Sequence, residues 1–284
     1  MSKSSAELQA AGFSPVRRSP RRLIAIIQSI TNAGKTYLAL TGKRPIGYIA
    51  VEIGGEEGVV DKFIPEGAEE SPDIHIARIT MDEPAYVDAT GLSDKDYQQR
   101  VTENVQVAAG AALDKFYAAY YASIANMATT IVDCGDDVWE IARLANFGRL
   151  ERVPQLAYTQ LNKSMDKLID DSYSYGGSVF WLHHMTEKWI TFTNDKGKEQ
   201  GKPSGEFVMS GYKGAVDKVQ AVIELWRDDL EEANPDTGRM IKFNAQVIKS
   251  RHNADWIGAK FHDDNINIAH IGSKLAGGKP EDWK

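Results

Sequence analysis

The sequence predicts an α/β fold, with a mostly parallel sheet, helices on both faces and an antiparallel carboxyl-terminal extension. Three observations predict it. Apolar runs of strand length alternate with helical patterns over the first two thirds of the chain, which is typical of parallel strands joined by helices. The first run continues into a Gly-Lys-Thr sequence and then a helix pattern. The last third holds alternating segments separated by turn residues, which indicates antiparallel strands.

The amino-terminal elements follow from composition and periodicity. A continuous apolar run at residues 23–27 is typical of a strand buried on both faces. Ala and aromatic residues recur at helical spacing over residues 97–126. The predicted strands are residues 23–27, 46–52, 73–80, 129–133 and 178–183, and the predicted helices are 35–41, 97–126 and 155–172.

The pattern changes after residue 187. Residues 189–213 are rich in Gly, Lys and Thr with little periodicity, which predicts a long loop or hairpin. Strands are predicted at 219–227 and 240–249 around a turn at 234–238, with a last edge element at 261–271. The domain prediction is a mobile arm (1–20), one domain (21–275) and a carboxyl-terminal tail (276–284).

Composition narrows the class of protein. The 284 residues are 42% hydrophobic and 26% charged, as in ordinary globular proteins, with a net charge of −7. No apolar run approaches the roughly 20 residues that span a bilayer, so no membrane association is expected. The single cysteine, Cys134, predicts a reducing compartment, with cytoplasm as the default (host cytoplasm for a phage protein).

The strongest local signal is the sequence SITNAGKT at residues 29–36, between the first strand and the first helix. A phosphate-binding loop needs backbone N–H groups around the phosphates, a lysine on the β- and γ-phosphates and a hydroxyl on Mg²⁺. A serine stands where the first glycine of the motif is normally found. The predicted nucleotide-binding residues are Ser29, Ile30, Thr31, Asn32, Ala33, Gly34, Lys35, Thr36 and Tyr37.

A phosphate loop also predicts an acidic residue at the end of another buried strand, where it orients the Mg²⁺ shell. Asp133 ends the β-branched run at 129–133 and is therefore the Walker B candidate. Thr36 and Asp133 are the predicted metal-binding residues. The next residue is Cys134 rather than a glutamate, so a carboxylate that activates water must come from elsewhere.

Three further segments resemble the RecA class of ATPases, in the order in which that class has them over roughly residues 22–252. Glu52 ends the second strand, where the class has its catalytic glutamate. The sequence HHMTEK at 183–188 resembles the segment that senses the γ-phosphate. Neighbours on a strand face opposite ways, so at most one of His183 and His184 faces the nucleotide, and the register of HHMTEK favours His184. Lys249 and Arg251 resemble the pair that reaches a neighbouring subunit's ATP.

The resemblance implies ATP and Mg²⁺ binding, homo-oligomers (rings or filaments) with ATP at subunit interfaces, and single-stranded DNA held in loops. In this interpretation Lys35, Glu52, His184, Lys249 and Arg251 act in catalysis. The size and minimal build are similar to phage RecA-like ATPases of the Sak single-strand-annealing group. A single-strand DNA-binding protein is a further candidate partner.

Two basic clusters are candidates for DNA contact. Aromatic residues interleave with lysines within 189–213, and bases stack on aromatic rings while lysines follow phosphates. A loop that packs its own aromatic side chains, or a solvated face, has the same composition. The residues are Trp189, Phe192, Lys196, Lys198, Lys202, Phe207, Tyr212 and Lys213 in this segment, and Arg17, Arg18, Arg21 and Arg22 before the first strand.

The sequence therefore predicts an ATP- and Mg²⁺-dependent ATPase that acts on single-stranded DNA in recombination, annealing or replication. Two alternatives stay open. One is an ATP-binding switch or assembly protein that does not hydrolyse ATP, and the other is a small-molecule P-loop kinase. The kinase is the weaker alternative, because no Arg-rich lid is evident after residue 187.

Overall fold

The structure, a computed structural model, describes residues 21–51, 54, 56–149, 153–193, 199–232 and 240–284. These residues contain nine strands of one sheet and six α-helices. The strands are β1 (Ile24–Ser29), β2 (Ile46–Ala50), β3 (Ile74–Arg78), β4 (Thr129–Asp133), β5 (Ser178–Thr193), β6 (Glu199–Met209), β7 (Ala221–Asp229), β8 (Ile241–Ser250) and β9 (Lys260–His262). The helices are α1 (Lys35–Leu40), α2 (Asp94–Asn126), α3 (Gly135–Phe147), α4 (Tyr158–Ser172), α5 (Ala215–Lys218) and α6 (Ile268–Ala276).

The strand order is β3-β2-β4-β5-β1-β7-β8-β9, with β6 paired to the outer part of β5. The six strands from β3 to β7 are parallel, and β8 and β9 continue the sheet in antiparallel orientation. The predicted fold class, α/β with a mostly parallel central sheet, helices on both faces and a C-terminal antiparallel extension, is therefore confirmed. The carboxyl ends of the parallel strands share one edge of the sheet, where ligands bind in open α/β folds.

Both faces of the sheet are buried, which explains the continuous apolar runs. Successive residues of β1 enter different clusters: Ala25 and Ile27 pack on the side of α1 and α6, and Ile24 and Ile26 on the side of α2 and α4. A strand whose alternate residues both face helices cannot carry a polar face. The buried sheet thus forms a rigid base for the loops at its carboxyl edge.

The structure differs from the predicted elements at two places. Helix α3 (Gly135–Phe147) follows β4 directly and was not predicted. Residues 261–271, predicted as one edge element, contain the short strand β9 and the start of α6. Ile268, Ile271 and Leu275 are buried at helical spacing, and the Asn267 side chain caps the helix by accepting from the His270 N–H at 2.8 Å. The apolar residues 266 and 268 favoured a strand because the cap was not recognised.

The carboxyl-terminal segment packs onto the domain. Trp283 is buried, lies against Gly272 so closely that a side chain there would overlap its ring, and donates a hydrogen bond to the Gly277 carbonyl at 3.1 Å. Asp282 pairs with Arg21. Residues 276–284, predicted as a tail, thus continue the fold, whereas the predicted arm at 1–20 lies outside the described residues. Within the described part of the chain, no helix has the length and apolar character needed to cross a membrane.

Candidate active site

The predicted phosphate loop connects β1 to α1 at the carboxyl edge of the sheet. Strand β1 ends at Ser29, and the chain reverses direction before α1 begins at Lys35. Gly34 has φ of 90°, a conformation that glycine adopts without strain, and Asn32 has φ of 62°. The sequence thus forms the strand-loop-helix arrangement that a phosphate loop requires.

Lys35 is a buried cation that has no anionic partner among the described residues. Its side chain is 8% exposed, and Nζ donates to the Ser29 hydroxyl at 3.3 Å. Within the described residues Lys35 forms no ion pair. Because a buried charge is costly unless it is paired, the position favours an anionic ligand. Ser29 replaces the first glycine of the motif, and its hydroxyl oxygen accepts this hydrogen bond from Lys35.

Asp133 and Thr36 meet beside Lys35. The Thr36 hydroxyl donates to Oδ2 of Asp133 at 2.7 Å, and the carboxylate is almost completely buried at 2% exposure. The hydroxyl of Tyr48 donates to the same oxygen at 2.5 Å. Burial first, and then the charge of Asp133, raises the pKa of Tyr48, so its hydroxyl stays protonated as a donor. Mg²⁺ prefers hard oxygen ligands, and the Thr36 hydroxyl and the oriented carboxylate fit that ion.

A cavity of about 840 Å³ opens above these residues. One wall is the phosphate loop with Asp133 and His184. The opposite wall comes from β7, β8 and the segment after β9, where Asp263 accepts the Phe243 N–H at 3.1 Å. The residues of this second wall are Leu225, Phe243, Asp263, Asp264, Ile266 and Asn267. They were not predicted, because no local motif links them to a phosphate loop some 200 residues earlier.

His183 and His184, neighbours on β5, differ in their surroundings, although Nδ1 of each ring lies within 4 Å of the Asp136 carboxylate. His183 is buried, and its Nδ1–H donates to the Ser210 carbonyl at 3.1 Å. Burial also lowers the pKa of His183, which favours the neutral ring. His184 instead lines the cavity. Of the two histidines, only His184 is placed to contact a ligand there.

Asp136, in the first turn of α3, was missed by the sequence analysis because α3 itself was not predicted. Its Oδ2 lies 3.1 Å from Nδ1 of His184. Burial acts to raise the pKa of Asp136, but the hydrogen bond with His184 and the nearby His183 outweigh it and hold that pKa below its ordinary value. Asp136 is therefore an ionised carboxylate next to the cavity.

Ligand atoms of Cys134, Asp136 and His184 all lie within 4.8 Å of one another, a spacing that a metal could bridge. The Cys134 thiol, however, is buried and donates to Asp137 at 2.9 Å. Burial, with the neighbouring carboxylates, raises the pKa of this thiol. The thiol is therefore protonated and bound to Asp137 in this structure, and binding of a metal ion would require its deprotonation.

Glu52, the predicted catalytic glutamate, lies outside the described residues. In sequence it stands two positions after Ala50, the last residue of β2, and Ala50 is paired with Asp133 across the sheet. Its position in the chain agrees with the predicted function, and the role itself stays a prediction.

Lys249 and Arg251 lie away from the cavity of their own chain. Lys249 is paired with Val222 in mid-sheet, and its ammonium group donates to the Val216 carbonyl. The backbone of Arg251 bonds to Gln220, next to Ile24 at the start of β1. Strand β1 runs from Ile24 to Ser29 with a rise of about 3.3 Å per residue. Arg251, at the level of Ile24, therefore lies roughly 16 Å along the strand from Ser29. Arg251 is exposed and directly follows β8.

The segment predicted as a loop or hairpin is a hairpin. Beyond the buried first part of β5, residues 187–193 pair with residues 199–207 of β6 to form a two-stranded arm, most of whose side chains are exposed. The arm exposes Trp189 (67%) and Phe207 (50%), and Lys202 lies 5.0 Å from the Phe192 ring centre. Lys196 and Lys198 lie outside the described residues.

One aromatic candidate for DNA contact is wrong, and two of the candidate arginines have partners within the chain. Tyr212 is buried, stacks on Trp139 and donates to Asp166 at 2.7 Å, so it is unavailable for stacking on a base. Arg21 pairs with Asp282, and Arg22 donates to the Tyr173 carbonyl at 2.6 Å. These two arginines attach the start of the domain to its own surface. Arg17 and Arg18 lie outside the described residues.

Comparison with known proteins identifies no family. No protein-family model and no curated protein matches the chain. Among solved structures, the chain is similar to a KaiC-like protein from the hyperthermophilic archaeon Pyrococcus horikoshii OT3, with 17% identity and a TM-score of 0.41 over 84% of each chain. At this level the likeness assigns neither family membership nor activity.

Proposed function

We propose that this chain is an ATP- and Mg²⁺-dependent ATPase of the RecA class that acts on single-stranded DNA as an oligomer. The observation that carries the proposal is the meeting of Lys35, Thr36 and Asp133 in one cavity. Lys35 is buried with no counter-charge in the part of the chain that the structure describes, and Thr36 and Asp133 place two oxygen ligands 2.7 Å apart beside it. A nucleotide triphosphate with its Mg²⁺ supplies both the anion and the cation that these groups need.

Each residue of the chain then has a defined task. Lys35 contacts the β- and γ-phosphates, and Thr36 and Asp133 hold the metal ion. Bound Mg²⁺ would neutralise charge on the phosphate oxygens. Glu52 orients the attacking water and accepts its proton, and His184, which lines the same cavity, contacts the γ-phosphate. The volume of about 840 Å³ leaves room for the nucleoside against the second wall.

The arm is the proposed contact for single-stranded DNA. Exposed aromatic rings are costly in water, and Trp189 and Phe207 present such rings on an otherwise solvated hairpin. Base stacking on an aromatic ring contributes about 1–3 kcal/mol per base. Lys202 beside Phe192 supplies a positive charge for the phosphate backbone. An acidic protein can bind DNA through such a local element.

The homo-oligomer is proposed from the position of Arg251. It is exposed, roughly 16 Å along the strand from its own phosphate loop, so it can reach an ATP only in a neighbouring subunit. In this arrangement the cavity of one chain is completed by Arg251 and Lys249 of the next. The narrower placement among phage Sak-type annealing proteins stays a prediction, as does a single-strand DNA-binding protein as partner.

DNA-stimulated phosphate release distinguishes the three candidate functions. The proposed ATPase should release phosphate slowly alone, faster with single-stranded DNA, and more steeply than linearly with protein concentration. A nucleotide switch should bind ATP without turnover under either condition. A small-molecule kinase should release little phosphate and show no response to DNA. Phosphate release that is absent with DNA at every protein concentration would contradict the proposal.

A further inference from the structure

Tyr48 contacts the predicted metal-binding carboxylate from a neighbouring strand. In the register of β2 and β4, Tyr48 lies opposite Ile131, and Asp133 follows two residues later on the same face of the sheet. A diagonal neighbour of this kind is within reach of an aromatic side chain. The Tyr48 hydroxyl spans this distance and donates to Oδ2 of Asp133 at 2.5 Å. A phenylalanine at this position would fill nearly the same space but donate no hydrogen bond.

The ring of Tyr48 is held firmly in place. It is 1% exposed and belongs to the same apolar cluster as Leu38 of α1. On the opposite face of the sheet, Gly47 packs so closely on α2 that a Cβ there would lie 2.1 Å from Oγ of Ser123. Strand β2 is therefore packed on both faces, and the Tyr48 hydroxyl has a fixed position relative to Asp133.

The hydrogen bonds of Asp133 distinguish its two carboxylate oxygens. Oδ2 accepts from the hydroxyls of both Thr36 and Tyr48, at 2.7 and 2.5 Å. Oδ1 accepts no hydrogen bond from the described part of the chain, and Asp133 lines the cavity. Because both donors use one oxygen, the other is left for a cation or for a water molecule bound to that cation. Carboxylates that bind metal ions are commonly held by such outer hydrogen bonds.

We propose that Tyr48 is a positioning residue of the Mg²⁺ site, which orients Asp133 so that Oδ1 is available to the metal ion. The inference rests on the proposed function, because the ion enters with the nucleotide. Tyr48 is not among the described residues that line the cavity, so it acts only through Asp133.

The competing interpretation is that this hydrogen bond only stabilises the fold. Tyr120 provides the matched control, because its buried hydroxyl also donates a hydrogen bond, to the Leu168 carbonyl at 2.8 Å, on the other face of the sheet. Tyr48→Phe and Tyr120→Phe each remove one buried hydroxyl and keep the ring. Of the two, only Tyr48→Phe removes a contact to Asp133.

The first measurement is calorimetric titration of the full-length chain with ATP, in Mg²⁺ and in a chelator. In Tyr48→Phe the gain in ATP affinity that Mg²⁺ provides should fall by about 10- to 100-fold, the usual effect of removing a residue that holds a metal ligand. Affinity for metal-free ATP should stay within about threefold of wild type, and Tyr120→Phe should keep the wild-type gain. In an Asp133→Asn background, Tyr48→Phe should have no further effect. An unchanged gain in Tyr48→Phe, or an equal loss in Tyr120→Phe, would overturn the proposal.

The second measurement is the rate of hydrolysis as a function of Mg²⁺ concentration. Tyr48→Phe should raise the Mg²⁺ concentration that gives the half-maximal rate by about 10- to 100-fold. Saturating Mg²⁺ should restore kcat to within about threefold of wild type, because a weakened metal site is filled by mass action. A loss of kcat that persists at saturating Mg²⁺ would contradict a role confined to holding the metal ligand.

A third measurement needs no tyrosine variant to fold. In the nucleotide-free wild type with tyrosine labelled at Cζ, NMR should show a hydroxyl hydrogen that is protected from exchange and that shifts in Asp133→Asn. If no protected tyrosine hydroxyl responds to Asp133→Asn, the contact and the proposal are wrong. Wild-type ATP binding without any Mg²⁺ dependence would contradict the proposed function itself, whereas wild-type Mg²⁺ dependence that Tyr48→Phe retains would contradict only the role of Tyr48.

Discussion

Replacing Lys35 by methionine should have opposite effects on folding and on ATP binding. Lys35 is 8% exposed and, within the described residues, has only the Ser29 hydroxyl as a partner. Methionine has a similar length and fills the same space without the charge. Ser29 still donates its own hydroxyl hydrogen to the Ile30 carbonyl, so it is not left unsatisfied.

The magnitudes follow from this environment. Replacing buried ionic groups by apolar side chains of similar volume is often neutral or stabilises a protein by about 1–4 kcal/mol, so the nucleotide-free variant should unfold no more easily than the wild type. A hydrogen bond to a charged group contributes about 1.5–3 kcal/mol. ATP affinity should therefore fall by at least about 10- to 150-fold.

Urea denaturation without nucleotide and calorimetric titration with ATP measure the two effects separately. Lys43→Met is the control, because Lys43 is exposed in the turn after α1 and should change stability by less than about 0.5 kcal/mol. A Lys35→Met chain that is destabilised by about 2 kcal/mol or more, yet binds ATP like the wild type, would show that the lysine is structural. The assignment of the phosphate loop would then be wrong.

Four other changes test separate parts of the account. Glu52→Gln keeps the side-chain volume but cannot accept a proton, so ATP should bind within a few-fold of wild type while turnover falls by about 10²-fold or more; wild-type turnover would exclude Glu52 as the base. Arg251→Ala should bind ATP and hydrolyse it poorly. Mixing it with Glu52→Gln should restore activity, since mixed interfaces pair the intact Glu52 of one chain with the intact Arg251 of the other. Mixtures that stay inactive while the two variants co-assemble would exclude action of Arg251 between subunits. Tyr48→Phe should flatten the loss of stability above about pH 10, because the raised pKa of Tyr48 stabilises the folded chain fully below the ordinary tyrosine value of about 10 and this stabilisation is lost as the pH rises further; an unchanged alkaline unfolding profile would contradict it. Removing three lysines of the 189–213 segment together should weaken binding to single-stranded DNA and reduce its salt dependence by roughly 0.7 log units of slope per lost phosphate contact. An unchanged slope would mean that DNA binds at another surface. These lysines are Lys196, Lys198 and Lys202.

The sequence predicts those parts of the site that are formed by residues adjacent in the chain or by a motif at the end of a strand. The loop at 29–36 lies in one uninterrupted segment, and its strand and helix are visible in the apolar pattern around it. Asp133 could be predicted because a carboxylate at the end of a buried strand is costly unless a metal ion or a hydrogen-bond donor compensates its charge. The distance of 2.7 Å between Thr36 and Asp133 follows from two parallel strands that end at the same edge.

The remaining parts depend on tertiary contacts that local patterns do not contain. Tyr48 resembles any aromatic residue of a buried strand, and only the pairing of β2 with β4 brings its hydroxyl to Asp133. Asp136 resembles an ordinary acidic residue in a first helical turn until β5 places His184 beside it. Similarly, Phe243 and Asp263 reach the phosphate loop only because β8 and β9 extend the sheet beyond β7.

The cavity should bind ATP together with Mg²⁺ through Lys35, Thr36 and Asp133. Calorimetric titration of the wild-type chain and of Asp133→Asn with ATP, each in Mg²⁺ and in a chelator, tests it most directly. The wild type should bind ATP more tightly with Mg²⁺ than without, and Asp133→Asn should lose most of that difference while still binding metal-free ATP. Equal Mg²⁺ dependence in both chains, or no ATP binding by the wild type, would contradict the account.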